Sequence, residues 1–220
     1  MNQPASQPTP DQKQLLYFAD PMCSWCWGFS PVIMALAETH GDRLPIRPMM
    51  GGLRPGADKP MNQSDKTEIR NHWEHVQTGT GQDFDFAFFE RDGFVYDTEP
   101  ACRAVVTARA HGATQGLAML ARLHRAFYAE NQDITNADVV VKLALEQGLD
   151  EKSFAETFGS DTAKQVTGAD FDIAHRLGIR GFPTLLAGTQ DDGFALVTNG
   201  YQPLEALAGP IAKWLEQETS

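Results

Sequence analysis

Two cysteines, in Cys23-Ser24-Trp25-Cys26, stand where an apolar run ends and a helical pattern begins, and no other feature of the 220-residue chain restricts its fold as much. Upstream, Leu15-Leu16-Tyr17-Phe18-Ala19 is a continuous apolar stretch closed by Asp20-Pro21. That is the pattern of a strand buried on both faces and cut off by a residue with no amide for the ladder. Downstream, Val32, Ile33, Leu36 and Ala37 recur at steps of three and four with Gly41 at a cap position, so Trp27 to Thr39 reads as a helix, kinked at Pro31. A sulfur at the start of such a helix meets unpaired amides and the positive end of the helix dipole, which favour a thiolate; thiols in Cys-x-x-Cys motifs titrate at roughly 3.5 to 7.5, against about 8.5 when free. Cys23 is therefore the expected attacking sulfur. Cys26, one turn further in, is the expected resolving thiol, close enough to form a disulfide with Cys23 and release a bound substrate.

The remaining pattern frames this site. Residues 1–12 hold three prolines among polar residues and read as a flexible tail. Leu44 to Met50 reads as a second strand that Pro45 and Pro48 confine to an edge or an irregular end. From about 51 to 165 helical stretches follow one another without a convincing strand. Asp97 or Thr98 caps one with Pro100 in its first turn, another starts near Thr114, and Thr135 with Asp138 resembles a capping box opening a helix that stops at Gly148. A further helix ends near Leu177-Gly178. Thr184 to Ala187 and Phe194 to Val197 then read as two strands joined by a turn at Gln190-Asp191-Asp192-Gly193, and a helix from Pro203 to Glu216 closes the chain. The expected division is a first domain built from 13–55 and 166–220, with an inserted helical domain over 56–165.

Composition narrows the chemistry. Hydrophobic residues make up 42% of the chain, enough for one sizeable core rather than a disordered or disulfide-stapled chain. Eighteen basic and 29 acidic residues leave a net charge of −11, a field that repels phosphate backbones and anionic headgroups, so neither nucleic acid nor a membrane is an expected partner. No run of 18 apolar residues occurs, and the opening residues have neither a basic nor an apolar leader region, so the expected location is the cytoplasm. Three cysteines, an odd number, do not fit a secreted disulfide framework. Oligomeric state is not legible.

Zinc sites use the same cysteine spacing, but four ligands are needed and the chain has no second Cys-x-x-Cys. His72 and His75 share a helical face without forming His-Glu-x-x-His, and read as solvated or core-satisfied histidines, so no metal is expected. Cys102, in a stripe with Ala101, Ala104 and Val105, reads as a small buried hydrophobe. The second signature is Gly181-Phe182-Pro183-Thr184, ahead of the third strand. A cis proline there would hold the preceding backbone extended beside the cysteines, able to pair with a bound polypeptide. Trp25, Trp27, Phe29 and Phe182 form an expected aromatic shell around the site.

The order of these elements, together with Asp20-Pro21-Met22-Cys23-Ser24-Trp25-Cys26-Trp27-Gly28, Thr98-Glu99-Pro100-Ala101, Ala126-Phe127-Tyr128 through Asp133-Ile134, and Gly178 to Thr184, resembles the DsbA-like family over about residues 13 to 217. Within it the chain is most similar to the cytoplasmic branch of protein disulfide isomerases and FrnE-like proteins. The resemblance implies an α/β thioredoxin fold, a mixed sheet flanked by helices, with an inserted all-α domain. It implies a thiol-disulfide oxidoreductase with Cys23 as nucleophile, Cys26 as resolving thiol, Pro183 in cis, and Ser24, Trp25, Phe182 and Pro183 against the substrate. Partners would be disulfide-containing proteins or small thiols, with no cofactor beyond glutathione as co-substrate. The chain departs from the family in three ways. Ser24-Trp25 supplies no imidazole, Tyr17 stands where thioredoxins carry a buried acid, and no export signal precedes the domain. Asp20 either caps the turn or, as an anion, opposes ionisation of Cys23. On the same fold, glutathione transferases of kappa type and hydroxychromene-carboxylate or polyketide isomerases are the alternative enzyme class, and a binding module with incidental cysteines is the third reading.

Overall fold

The computed structural model describes residues 9–217. Four strands form one sheet in the order β2-β1-β3-β4, comprising β1 (Gln14–Ala19), β2 (Ile46–Met50), β3 (Thr184–Thr189) and β4 (Gly193–Asn199). Central β1 pairs in parallel with β2 and antiparallel with β3, and β3 turns back into β4. This mixed sheet, flanked by helices, is the thioredoxin fold with a helical insertion. Helix α1 (Ser24–His40) connects β1 to β2. Between β2 and β3 lie α2 (Gln63–Thr80), α3 (Glu99–Arg109), α4 (Ala113–Tyr128), α5 (Ala137–Glu146), α6 (Glu151–Gly159) and α7 (Asp161–Arg176), and α8 (Leu204–Leu215) follows β4.

Alternation along the strands divides the interior. Leu15, Tyr17 and Ala19 of β1 face one side with Leu185 of β3, joining residues of α1, α8 and the insertion. Phe18, Met49 and Leu186 face the other, where Ala174 of α7 covers them. Both faces of β1 are dry, which explains its unbroken apolar run. Pro48 is tolerated because β2 is an edge strand.

The larger core runs without a break from the sheet into the insertion. Cys26 and Trp27 belong to the same buried cluster as Leu123, Phe127 and Tyr128. Deeper in, Trp73 is ringed by Phe84, Phe88, Phe89 and Tyr128 at centroid distances of 4.8–5.2 Å. Helix α7 crosses the expected boundary at 165/166 and lies against the sheet, so the insertion and the sheet domain share packing rather than meeting at a linker.

Several local expectations change. Residues 1–8 of the expected tail lie outside the described residues. Residues 9–12 are not free, because the Pro10 carbonyl accepts from the amides of Gln190 and Asp191 at 2.9 and 3.2 Å, holding this stretch on the β3–β4 turn. Asn136, not Thr135, caps α5, its side chain accepting from the Asp138 amide; Thr135 is occupied by the Asp133 carboxylate at 2.6 Å. At α3, Thr98 is the capping residue but makes no side-chain cap bond, and Asp97 accepts from the Glu99 amide at 3.0 Å.

A buried ion pair ties the insertion to the sheet. Arg109 of α3 makes two parallel bonds to Asp170 of α7 at 2.6 and 2.9 Å and also donates to the Pro48 carbonyl in β2, while Asp170 accepts from the Met50 amide at 2.9 Å. Both side chains are under 10% exposed. Removing one partner strands a charge in a dry site at a cost of about 3–5 kcal/mol, whereas an apolar pair of similar volume is close to neutral. Urea denaturation should therefore give R109M a loss of roughly 3 kcal/mol, with R109M/D170L recovering most of it. Equal loss in both variants would mean that packing, not charge, dominates.

Candidate active site

Strand β1 delivers Asp20-Pro21-Met22 to the start of α1. The Asp20 carboxylate accepts from the Met22 amide at 2.8 Å and the Asp20 carbonyl from the Cys23 amide at 3.0 Å, closing a tight turn that sets Cys23 as the N-cap. The first turn of α1 contains no acidic side chain, so nothing there offsets the positive helix end beside the sulfur. All three cysteines are free thiols. Cys23 retains 7% exposure and lines a pocket of about 220 Å³; Cys26 is fully sealed. Burial pushes the Cys26 thiol well up, and its hydrogen bond with Cys23 adds to this.

The peptide bond Phe182–Pro183 is cis. The Phe182 carbonyl accepts from the Cys23 thiol at 3.5 Å, while the Pro183 carbonyl is taken by the Gly200 amide at 2.7 Å. Phe182, Ser24 and Trp25 line the pocket with Cys23, and Trp25 lies 5.9 Å from the ring of Tyr201. Cys26 and Pro183 stand behind the wall, both buried. The expected aromatic shell is smaller than its four members. Trp27 turns inward, parallel to Tyr128 at 6.3 Å with its indole donating to the Asp83 carbonyl, and Phe29 is fully buried 5.8 Å from Tyr17. Both follow the inner face of α1 into the core, and only Trp25 and Phe182 meet the pocket.

The opposite wall comes from segments without a legible signal. Helix α2 contributes Glu68, Ile69, His72 and Trp73, and the loop after β2 contributes Leu53 and Arg54, whose guanidinium lies 5.6 Å from the Tyr96 ring. His72, singled out in the sequence only for its spacing from His75, thus faces the same cavity as Cys23. Among the described residues no group of three or more His, Cys, Asp or Glu side chains could hold a metal ion.

Behind the cysteines, Asp20 is completely buried and has no cationic partner among the described residues. Its carboxylate also accepts from the Leu53 amide at 2.7 Å and from the Cys102 thiol at 3.4 Å. Burial raises its pKa against the lowering effect of these donors, and its negative field acts on Cys26. Asp20 does cap the turn, therefore, and its charge raises the thiols of Cys26 and Cys102. Cys102 is buried as expected, but it is a donor to Asp20 rather than merely a small hydrophobe; burial pushes its thiol up and keeps it protonated. Tyr17, in place of an acid, buries a phenol whose hydroxyl has no partner among the described residues. His124 completes the cluster, with Nε2 3.1 Å from the Asp20 carbonyl. Burial lowers the His124 pKa to about 4, so the ring is neutral and donates through Nε2.

This geometry defines a class, a thioredoxin-fold protein of DsbA-like architecture with a Cys-x-x-Cys pair at the N-terminus of its first helix. The sequence profile of the family described as Thioredoxin matches residues 16–208, and the chain belongs to that family. A "putative protein disulfide isomerase" from Nitrosomonas europaea is 38% identical with a TM-score of 0.86, covering 93% of this chain and 98% of that one. The cytosolic disulfide reductase DsbM from Pseudomonas aeruginosa, also solved with GSH, is 30% identical with a TM-score of 0.76, covering 91% and 98%. The ClpXP adapter protein SpxH of Bacillus subtilis is 24% identical over 173 residues, 78% of this chain and 57% of that protein. The chain thus spans about three fifths of the length of the curated relatives it matches. Among the described residues no helix is long and apolar enough to cross a membrane.

His124 makes a pH prediction with a definite sign. Its pKa in the fold lies below the ordinary value near 6.5, so the stability it contributes is complete above that value and is lost as pH falls towards 4. Asp20, raised in the fold, acts oppositely and favours folding as it becomes protonated. Between pH 7 and 4.5 the wild type should lose roughly 2–3 kcal/mol more than H124Q, whose amide nitrogen can take the place of Nε2 as donor to the Asp20 carbonyl. Parallel urea-stability curves for the two proteins would contradict this.

Proposed function

We propose that the protein is a thiol-disulfide oxidoreductase acting in the cytoplasm on disulfides of small thiols or of proteins, with Cys23 as nucleophile and Cys26 as resolving thiol. The observation that carries the reading is the asymmetry of the pair, in which the outer sulfur lines a pocket at a helix N-terminus and the inner one is shut off from solvent. Cys23 thiolate attacks one sulfur of a substrate disulfide; that S–S bond breaks, a mixed disulfide forms, and the departing thiolate takes a proton. Cys26, once deprotonated, attacks the Cys23 sulfur and expels the second substrate thiol. The substrate gains two electrons and the enzyme is left as a Cys23–Cys26 disulfide. Two equivalents of a reducing thiol such as glutathione return it to the dithiol, and a mispaired protein disulfide passed through the same adduct is isomerised.

A small-thiol substrate suits the dimensions of the pocket. About 220 Å³ walled by Trp25, Phe182 and Ile69, with Arg54 and Glu68 of opposite charge, fits a compact zwitterionic thiol better than a folded chain. DsbM, solved with GSH, supports glutathione as co-substrate, and its description as cytosolic supports the location. A glutathione-dependent transferase or a hydroxychromene-carboxylate or polyketide isomerase would use the pocket but has no need of Cys26. The adapter activity named for SpxH belongs to proteins of which about two fifths is unmatched here, and no feature of this site favours it.

Insulin reduction by the full chain, with glutathione as electron source, tests the proposal. C23S should fall to the uncatalysed rate. C26S should accumulate a mixed disulfide on Cys23 visible by mass spectrometry. Unimpaired turnover in C23S, or no adduct on C26S under oxidising conditions, rejects the assignment.

A further inference from the structure

The wall of the pocket facing α2 is Phe182, and its ring fits only because residue 51 is glycine. A Cβ at Gly51 would lie 2.0 Å from Cζ and 2.1 Å from Cε1 of Phe182, against a contact optimum of about 3.5–4.0 Å between carbons. The Gly51 backbone has little room to retreat. Its amide donates to the Ala19 carbonyl at 2.8 Å, continuing the pairing of β2 with β1, and two residues on the Leu53 amide is held by Asp20. Gly52 between them has φ +69°, and a Cβ there would sit 2.8 Å from Cδ1 of Phe171. A side chain at 51 must therefore displace the ring. The same residue lines the pocket and carries the backbone carbonyl that meets the Cys23 sulfur, so moving the ring moves the pocket wall beside that sulfur.

We infer that Gly51 is a positioning residue for the exchange reaction, acting through Phe182. The missing side chain at the end of β2 fixes where the Phe182 ring lies, and with it the width available to a disulfide beside Cys23. This rests on Cys23 being the attacking sulfur. Displacements of about 1 Å at a reacting centre cost up to roughly 100-fold in rate, so a clash of this severity should be visible in turnover.

The test uses the full chain as wild type, G51A, F182L and G51A/F182L, with kcat and KM for a small disulfide, bis(2-hydroxyethyl) disulfide, reduced at the expense of glutathione, thermal midpoints, and the Phe182 ring-current shift on the Gly51 α protons. G51A should lose at least tenfold in kcat/KM. G51A/F182L should return to within about threefold of F182L, since the shorter side chain vacates the space. A purely structural role would lower the thermal midpoint of both glycine variants alike and give no such rescue. Should G51A fail to fold while the double variant folds and turns over, the clash is still identified as the cause. The inference is overturned if G51A stays within twofold of wild type, if the double variant is as poor as G51A, or if both fail to fold. A wild type without Cys23-dependent turnover defeats the functional reading instead, and the ring-current shift, absent in F182L, then still tests the contact.

Discussion

The mouth of the pocket is organised by a carboxylate that does not touch water. Asp20 receives the Met22 amide, the Leu53 amide and the Cys102 thiol, and its carbonyl receives His124, so one residue joins the β1–α1 turn, the loop after β2, α3 and α4. A buried carboxylate without a cation costs several kcal/mol unless its lone pairs are occupied. The donors offset much of that cost, and burial still raises its pKa. The same charge adds to the burial that opposes ionisation of Cys26. The turn that places the cysteine pair therefore hangs on one side chain.

The helical insertion completes the site rather than merely decorating the sheet. Its aromatic core around Trp73 is continuous with the residues packed behind Cys26, and α2 supplies the pocket wall opposite Phe182. The Arg109–Asp170 pair binds α3 and α7 to β2, holding the insertion in register with the edge of the sheet. Cys23 lines a pocket of about 220 Å³ with Arg54, Glu68 and His72 around it, and Cys26 is sealed behind it.

Much of the fold was legible because its signals are local. The apolar run before Asp20-Pro21, the three-and-four spacing after Cys26 and the Asp192-Gly193 turn each arise from backbone demands within a few residues, and β1, α1 and the β3–β4 hairpin form where expected. Errors appear where two neighbours compete for one role. Thr135 and Asn136 both qualify as caps, and Thr135 is withdrawn by Asp133. Residues 9–12 look like loose chain because the hydrogen bonds that hold them come from a turn 180 residues away. Trp27 and Phe29 share the aromatic type of Trp25, but the helical rotation of α1 sends them inward.

Taken alone, the sequence determined the class of fold and the place of the cysteine pair within it. A Cys-x-x-Cys at a strand-to-helix junction has few structural solutions, and a proline before a strand in this topology identifies the segment that faces it. Tertiary structure decided everything that depends on approach between distant segments. It selected Arg54, Glu68 and His72 as pocket residues, made Cys102 a partner of Asp20, and required Gly51 to leave room for Phe182. No local pattern encodes these, because hydrogen bonds, burial and contact distances between residues far apart in the chain exist only once the backbone has brought them together.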